Sequence, residues 1–148
     1  DGLKPGQRAC LWEMYTKKVQ IEARVLGDLA INHVVPVAMR YQSFLVDSVL
    51  SLRKLFSGEK GELMSAQDVA TIESIASHVL KTKDEVAKMI EARKVANRIE
   101  NEREKAIAYH NTVVPCMETI REYLDDLELM VDNEMWPLPK YRELLFIR

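Results

Sequence analysis

The sequence predicts an all-α protein: an elongated up-down-up bundle of three long helices, the first and third kinked at a proline, with a short apolar tail helix at the C-terminus. Three observations carry this. Apolar and small residues recur three or four positions apart through three long stretches, the period of one helical face. The five glycines and five prolines fall mostly near the ends and between those stretches, as helix punctuation does. Between Gly61 and Pro115 there is neither residue type.

Residues 1 to 15 read as an N-terminal loop and aromatic lead-in. Gly2, Pro5 and Gly6 are followed by Leu11, Trp12 and Tyr15, which should cover the start of the first helix. The chain opens on Asp1 rather than Met, so a segment cut from a longer polypeptide is expected. Residues 16 to 132 form the bundle. Its first helix runs roughly from Thr16 to Phe56, with Val19, Ala23, Leu26, Ala30, Val34, Val37, Tyr41, Phe44 or Leu45, Ser48, Leu52 and Leu55 on one face. At a rise of ~1.5 Å per residue, about 40 residues span on the order of 60 Å. A compact domain of this size has a radius of gyration of about 15 Å. The helix should therefore run past the bundle or pack against something outside this chain. Ala23, Gly27 and Ala30 put small side chains on neighbouring turns, a candidate interaction surface where another backbone can come close.

Pro36 lies inside that helix, removes a backbone donor and crowds the carbonyl of Asn32, so a kink is expected there. Residues 57 to 64 read as a glycine-containing loop. Ser65, with Asp68 three residues on, reads as the start of the second helix. Val69, Ile72, Ala76, Val79, Val86 and Ile90 line its face. The apolar face fades at Asn97 to Asn101, which places a turn there; a continuous helix is the open alternative. The third stripe is Ala106, His110, Val113, Met117, Ile120, Leu124, Leu127 and Val131, interrupted by Pro115. The stretches Asn32-His33-Val34-Val35-Pro36 and Asn111-Thr112-Val113-Val114-Pro115 match. Counting along the helices puts the two bends at the same height.

Residues 133 to 148 form a docking tail. Pro137 and Pro139 end the third helix and force extended chain. Tyr141 to Ile147 can make a short helix. Trp136, Leu138, Tyr141, Leu144, Leu145 and Phe146 carry more apolar surface than water tolerates. They either fold back on the bundle or dock on another domain or subunit.

Hydrophobic residues make up 47% of the chain and charged ones 30%, with a net charge of −2, which describes a globular domain. That balance leaves no electrostatic footprint for nucleic acid or an anionic membrane. No apolar run is long enough to span a bilayer and no secretion signal opens the chain, so a cytoplasmic location is expected. Cys10 and Cys116 are far apart and read as two free thiols.

Catalytic signatures are missing. There is no phosphate-binding glycine loop, no His-Glu-x-x-His, no Cys/His cluster with zinc spacing and no serine nucleophile elbow. No catalytic, cofactor-binding or metal-ligating residue is assigned. Glu100, Glu102 and Glu104 alternate with Arg103 and Lys105 and do not share a helical face, so they read as a solvated surface. His78-Val79-Leu80-Lys81 resembles the helical His-x-Leu-Lys of histidine phosphotransfer domains, but Thr82 stands where that family carries Gly. His33 and His110 sit beside apolar faces, near the prolines, as core or interface residues.

Three stretches together resemble the C-terminal region of type III glutamine synthetases: Glu22 to Pro36, Met89 to Asn97 and, most specifically, Trp136-Pro-Leu-Pro-Lys-Tyr-Arg-Glu-Leu-Leu-Phe146. The likeness runs over roughly residues 15 to 148 in the same order and is weakest at 57 to 70. The resemblance implies a parent enzyme that condenses glutamate with ammonia. That enzyme uses ATP and a divalent metal, Mg or Mn, passes through a γ-glutamyl phosphate and forms ADP. The family's nucleotide, metal and glutamate residues lie in an upstream catalytic domain, and none maps onto this chain. A dodecamer of two hexameric rings is likewise implied. The chain's own expected role is subunit or domain packing, through the first half of helix one and the tail. The competing class is a freestanding helical adaptor, with phosphotransfer at His78 a distant third.

Overall fold

Pro5 stands in the first turn of a helix, where its missing N–H has no intrahelical partner to lose, and Gln7 Oε1 accepts the backbone N–H of Lys4 at 2.9 Å. Helix α1 (Pro5–Asp28) thus begins well before Thr16. The helix expected from Thr16 is found from Pro5 onward, and Leu11, Trp12 and Tyr15, expected as an aromatic lead-in, are helical residues. The computed structural model describes residues 2–132 and 134–136. Among these there is no strand, and no helix is long and apolar enough to cross a membrane.

α1 continues through a π-helical turn, Leu29–Val34, into α2 (Val35–Leu55). α3 (Glu59–Asn97) returns antiparallel. A third helix climbs again as α4 (Glu102–Ala108), a second π-helical turn at Tyr109–Val113 and α5 (Val114–Met130). The all-α, up-down-up expectation holds, with the third helix much shorter than the first. It lies beside α1, while α2 packs chiefly on α3. The upper part of the bundle is therefore close to a two-helix hairpin.

Both expected bends are built as π turns. Proline cannot donate, and its ring crowds the carbonyl four residues back. The turn before each proline widens: the Val35 N–H reaches Ala30 O and the Val114 N–H reaches Tyr109 O, five residues back in each case. The two turns are staggered rather than level. Leu29–Val34 packs beside α5, whereas Tyr109–Val113 packs beside α1. The widened turn also changes which residue faces in. Tyr109 is fully buried and His110, expected in the stripe, is exposed.

The loop after α2 is tighter than the expected span of 57 to 64. Gly58 takes φ 75°, a left-handed conformation that favours glycine, and α3 starts at Glu59 rather than Ser65. A Cβ on Gly61 would lie 1.9 Å from the Phe56 carbonyl oxygen, so only glycine lets the two helix ends come this close. Ser65 is buried, donates to Gly61 O at 2.8 Å and accepts from Arg53 Nε at 3.2 Å. The turn between the second and third helices is where the fading apolar face put it. Asn101 caps α4, its Oδ1 accepting the Glu104 N–H at 3.0 Å, which satisfies a donor that the helix start leaves open.

The core joins Val19, Ala23, Leu26, Ala30, Val34 and Leu45 to Ile75, Val79, Val86 and Met89 on α3 and to Tyr109, Val113, Met117, Ile120, Leu124 and Leu127 on the third helix. On α3 the buried face is shifted from the expected one: Ile75 and Met89 replace Ala76 and Ile90. Thr82 is a buried member of the seam because its hydroxyl is satisfied within its own helix, donating to His78 O at 2.6 Å. The third helix ends at Met130, ahead of Pro137. The Asp132 carbonyl then accepts the N–H groups of Met135 and Trp136, each at 3.1 Å, in a turn.

Candidate functional site

The surfaces expected to make contacts fall into an inner seam and a tail anchor, and the structure adds an outer stripe on α1. Ala23 and Ala30 are fully buried within the bundle. A Cβ on Gly27 would meet Met89 Cε at 3.3 Å and Val86 Cγ1 at 3.9 Å. At Gly27 the close approach is thus used by α3 of the same chain. Polar side chains lock that packing where all three helices meet. Asn97 Oδ1 accepts from Gln20 Nε2 at 2.9 Å and from the Tyr109 hydroxyl at 2.5 Å. Tyr15 Oη meets His110 Nδ1 at 3.0 Å between α1 and the second π turn.

Trp136 folds back on the bundle. It is 9% exposed and lines a cleft with Leu26, Leu29, Val34, Leu124 and Asp125. Burial, followed by the neighbouring charges of Glu128 and Asp126, raises the Asp125 carboxyl above the ordinary carboxylate value. The other tail residues expected to make contacts, Leu138, Tyr141, Leu144, Leu145 and Phe146, lie outside the described residues.

On the side of α1 turned away from its packing partners, Leu11, Met14, Ile21 and Val25 are 50%, 61%, 63% and 63% exposed. Residue-by-residue reading of one buried face did not single this stripe out. Its signal was present as a second apolar period, 11-14-(18)-21-25, on the face opposite Val19, Ala23 and Leu26.

The remaining candidates are engaged in structure. His78 Nδ1 meets Ser74 O at 2.8 Å and Nε2 meets Asp126 Oδ2 at 3.1 Å, with the Tyr123 ring edge-on to the imidazole. Both ring nitrogens are thus held in a clamp between α3 and α5. Cys10 is exposed and Cys116 buried, and both are free thiols. Burial, aided by the neighbouring Glu85 carboxylate, pushes the Cys116 thiol up, and the thiol donates to Thr112 O at 3.4 Å. No group of three or more potential metal ligands occurs among the described residues.

The described residues define an all-α bundle of three helices. Residues 6–53 match the family described as "Glutamine synthetase C-terminal domain". The chain is 54% identical over 136 residues to a glutamine synthetase of Bacteroides fragilis, covering 92% of this chain and 19% of the relative. It is 28% identical over 138 residues to a type-3 glutamine synthetase of Dictyostelium discoideum, covering 93% and 19%. A glutamine synthetase of Butyrivibrio fibrisolvens is 23% identical over 136 residues, covering 92% and 19%. By these matches the chain is similar to the C-terminal region of glutamine synthetases, and it spans about one fifth of the length of those relatives.

Proposed function

We propose that this chain is the non-catalytic C-terminal helical domain of an ATP-dependent glutamate–ammonia ligase, and that it works by packing against the rest of the enzyme. The observation that carries this is the 54% identity to a glutamine synthetase across 92% of the chain. The Dictyostelium relative, named as type-3, supports the type III class. ATP and a divalent metal, Mg or Mn, would be bound by an upstream catalytic domain, with the subunits arranged as a dodecamer. The exposed stripe Leu11, Met14, Ile21 and Val25 on α1 supports a packing role, because four large apolar side chains on one outer face mark an interaction surface. Residues from Trp136 onward would anchor the tail against the bundle or a neighbouring domain.

The test is a pair of truncations of the full-length synthetase, one lacking this whole domain and one lacking Trp136 to Arg148. Reduced assembled mass or thermal stability is expected in both, measured by sedimentation and calorimetry. Unchanged mass, stability and kinetics in both would overturn the proposal.

A further inference from the structure

We propose that residues 11–25 of α1 form a short parallel coiled-coil seam with the same helix of a second copy; this rests on the packing role proposed above. The outer stripe steps by 3, 4, 3 and 4 through Leu11, Met14, Lys18, Ile21 and Val25, the a/d repeat of a two-stranded coiled coil. Its four apolar members are all at least half exposed. They lie on the side of α1 away from α3 and the third helix, so a second helix can approach without displacing anything described here. The π turn at Leu29–Val34 breaks the phase and ends the seam after Val25.

Charge selects both the partner and its direction. With Leu11, Lys18 and Val25 at a, Lys17 falls at g and Glu22 at the following e. In a parallel pair g faces the next e of the other strand. Lys17 therefore meets Glu22 of the partner subunit, and the reciprocal pair forms by symmetry. An antiparallel pair would instead bring Lys17 towards Arg24 of the partner subunit, a like-charge contact. Within one chain Lys17 already touches Glu13 at 3.0 Å, with both side chains exposed, a contact it can share or exchange. Lys18 at a single a position weakens the seam but fixes its register. Fifteen residues make a small interface, so the seam would act inside an assembly whose other contacts supply a high effective concentration.

The experiment uses the assembled full-length synthetase with Cys10→Ser. Single cysteines are placed by Met14→Cys, Lys18→Cys or Ile21→Cys, with Glu13→Cys as an off-seam control, and sedimentation checks that each variant assembles. Mild oxidation should give like-to-like disulfide dimers at the three seam positions, several-fold above the control. In the Ile21→Cys background, Lys17→Glu and Glu22→Lys should each lower cross-linking about twofold to tenfold, and the double reversal should restore it. Residues 17 and 22 are not neighbours on one helix, so restoration cannot arise within a chain. No excess at the three positions, or no restoration, overturns the seam. Cross-links that map to another domain also overturn it while leaving the packing role intact. If deleting the whole domain changes neither assembly nor stability, the packing role fails first.

Discussion

Trp136→Ala is the perturbation that most directly tests how the end of the third helix is held. A tryptophan buries about 150–250 Å², and at ~25 cal/mol per Å² this is about 4–6 kcal/mol of transfer free energy. The unfolded chain already shields some 10–40% of such area, and alanine keeps its Cβ contacts, so about 3–4 kcal/mol is available from packing on Leu26, Leu29, Val34 and Leu124. The anchor lies after the last helical residue, Met130. The segment from Val131 to Trp136 can therefore detach without opening the bundle, which lowers the loss seen in global unfolding. We expect about 2–4 kcal/mol, read from urea unfolding followed by far-UV circular dichroism. Trp12 is the internal control: it is 36% exposed, and Trp12→Phe should cost under about 1 kcal/mol. In that background Trp136 is the sole indole of this chain and should emit to the blue of free tryptophan. A loss below about 0.5 kcal/mol for Trp136→Ala, or solvent-like emission in Trp12→Phe, would refute the docked anchor.

Three further outcomes follow from the same geometry. Gly61→Ala sets a methyl 1.9 Å from the Phe56 carbonyl oxygen and should cost about 2–4 kcal/mol in the same unfolding assay, whereas Gly6→Ala, with nothing within 4 Å, should be neutral or stabilising by up to ~1 kcal/mol. Asn101→Ala removes the cap on Glu104 N–H and should cost about 1 kcal/mol, with faster amide exchange confined to the first turn of α4. Burial raises the Asp125 carboxyl in the fold, so its ionised form weakens the folded state above the folded pKa, and this penalty disappears as pH falls through that value. Asp125→Asn should therefore stabilise at pH 7, by no more than about 0.5 kcal/mol for so exposed a group, and gain nothing near pH 3; a larger gain at acid pH would contradict it.

The helical period made the broad fold legible, because a three-four spacing of Val19, Ala23, Leu26 and Ala30 survives any context that buries one face. Helix ends were less legible. Gly58 and Gly61 both looked like loop residues, yet one forms the turn and the other lies inside α3 under Phe56. Pro5 looked like part of a loop and is a helix start. On α3, Ser65 read as the helix start and Thr82 was not placed on the apolar face, but their hydroxyls bond to carbonyls of their own helix and sit in the seam. Of the expected contact residues, Ala23 and Ala30 are buried in the bundle and Gly27 faces Met89 and Val86 of α3. That distinction needs the third dimension, since small residues look the same facing a neighbouring helix or a neighbouring subunit. The outer stripe was missed because each helix was assigned a single buried face, whereas α1 carries an apolar period on both sides.

The two prolines decide which side chains share a face across each π turn. A π turn holds one more residue than the α-helical turn it replaces, so side chains beyond it are rotated by roughly one residue, about 100°. On the third helix this is the displacement that turns Tyr109 in and His110 out. On the first, the same rotation brings Phe44 and Leu55, rather than Met39 and Leu50, into line with Ile21 and Val25. Beyond Val25 the next large exposed apolar residue is Met39, so a partner that follows the α1 seam meets no apolar track along Leu29–Val34. A continuous α-helix through Pro36 would have set Met39 and Leu50, not Phe44 and Leu55, in line with that stripe. The paired Asn-x-Val-Val-Pro segments thus set which side chains beyond each π turn share a face with those before it.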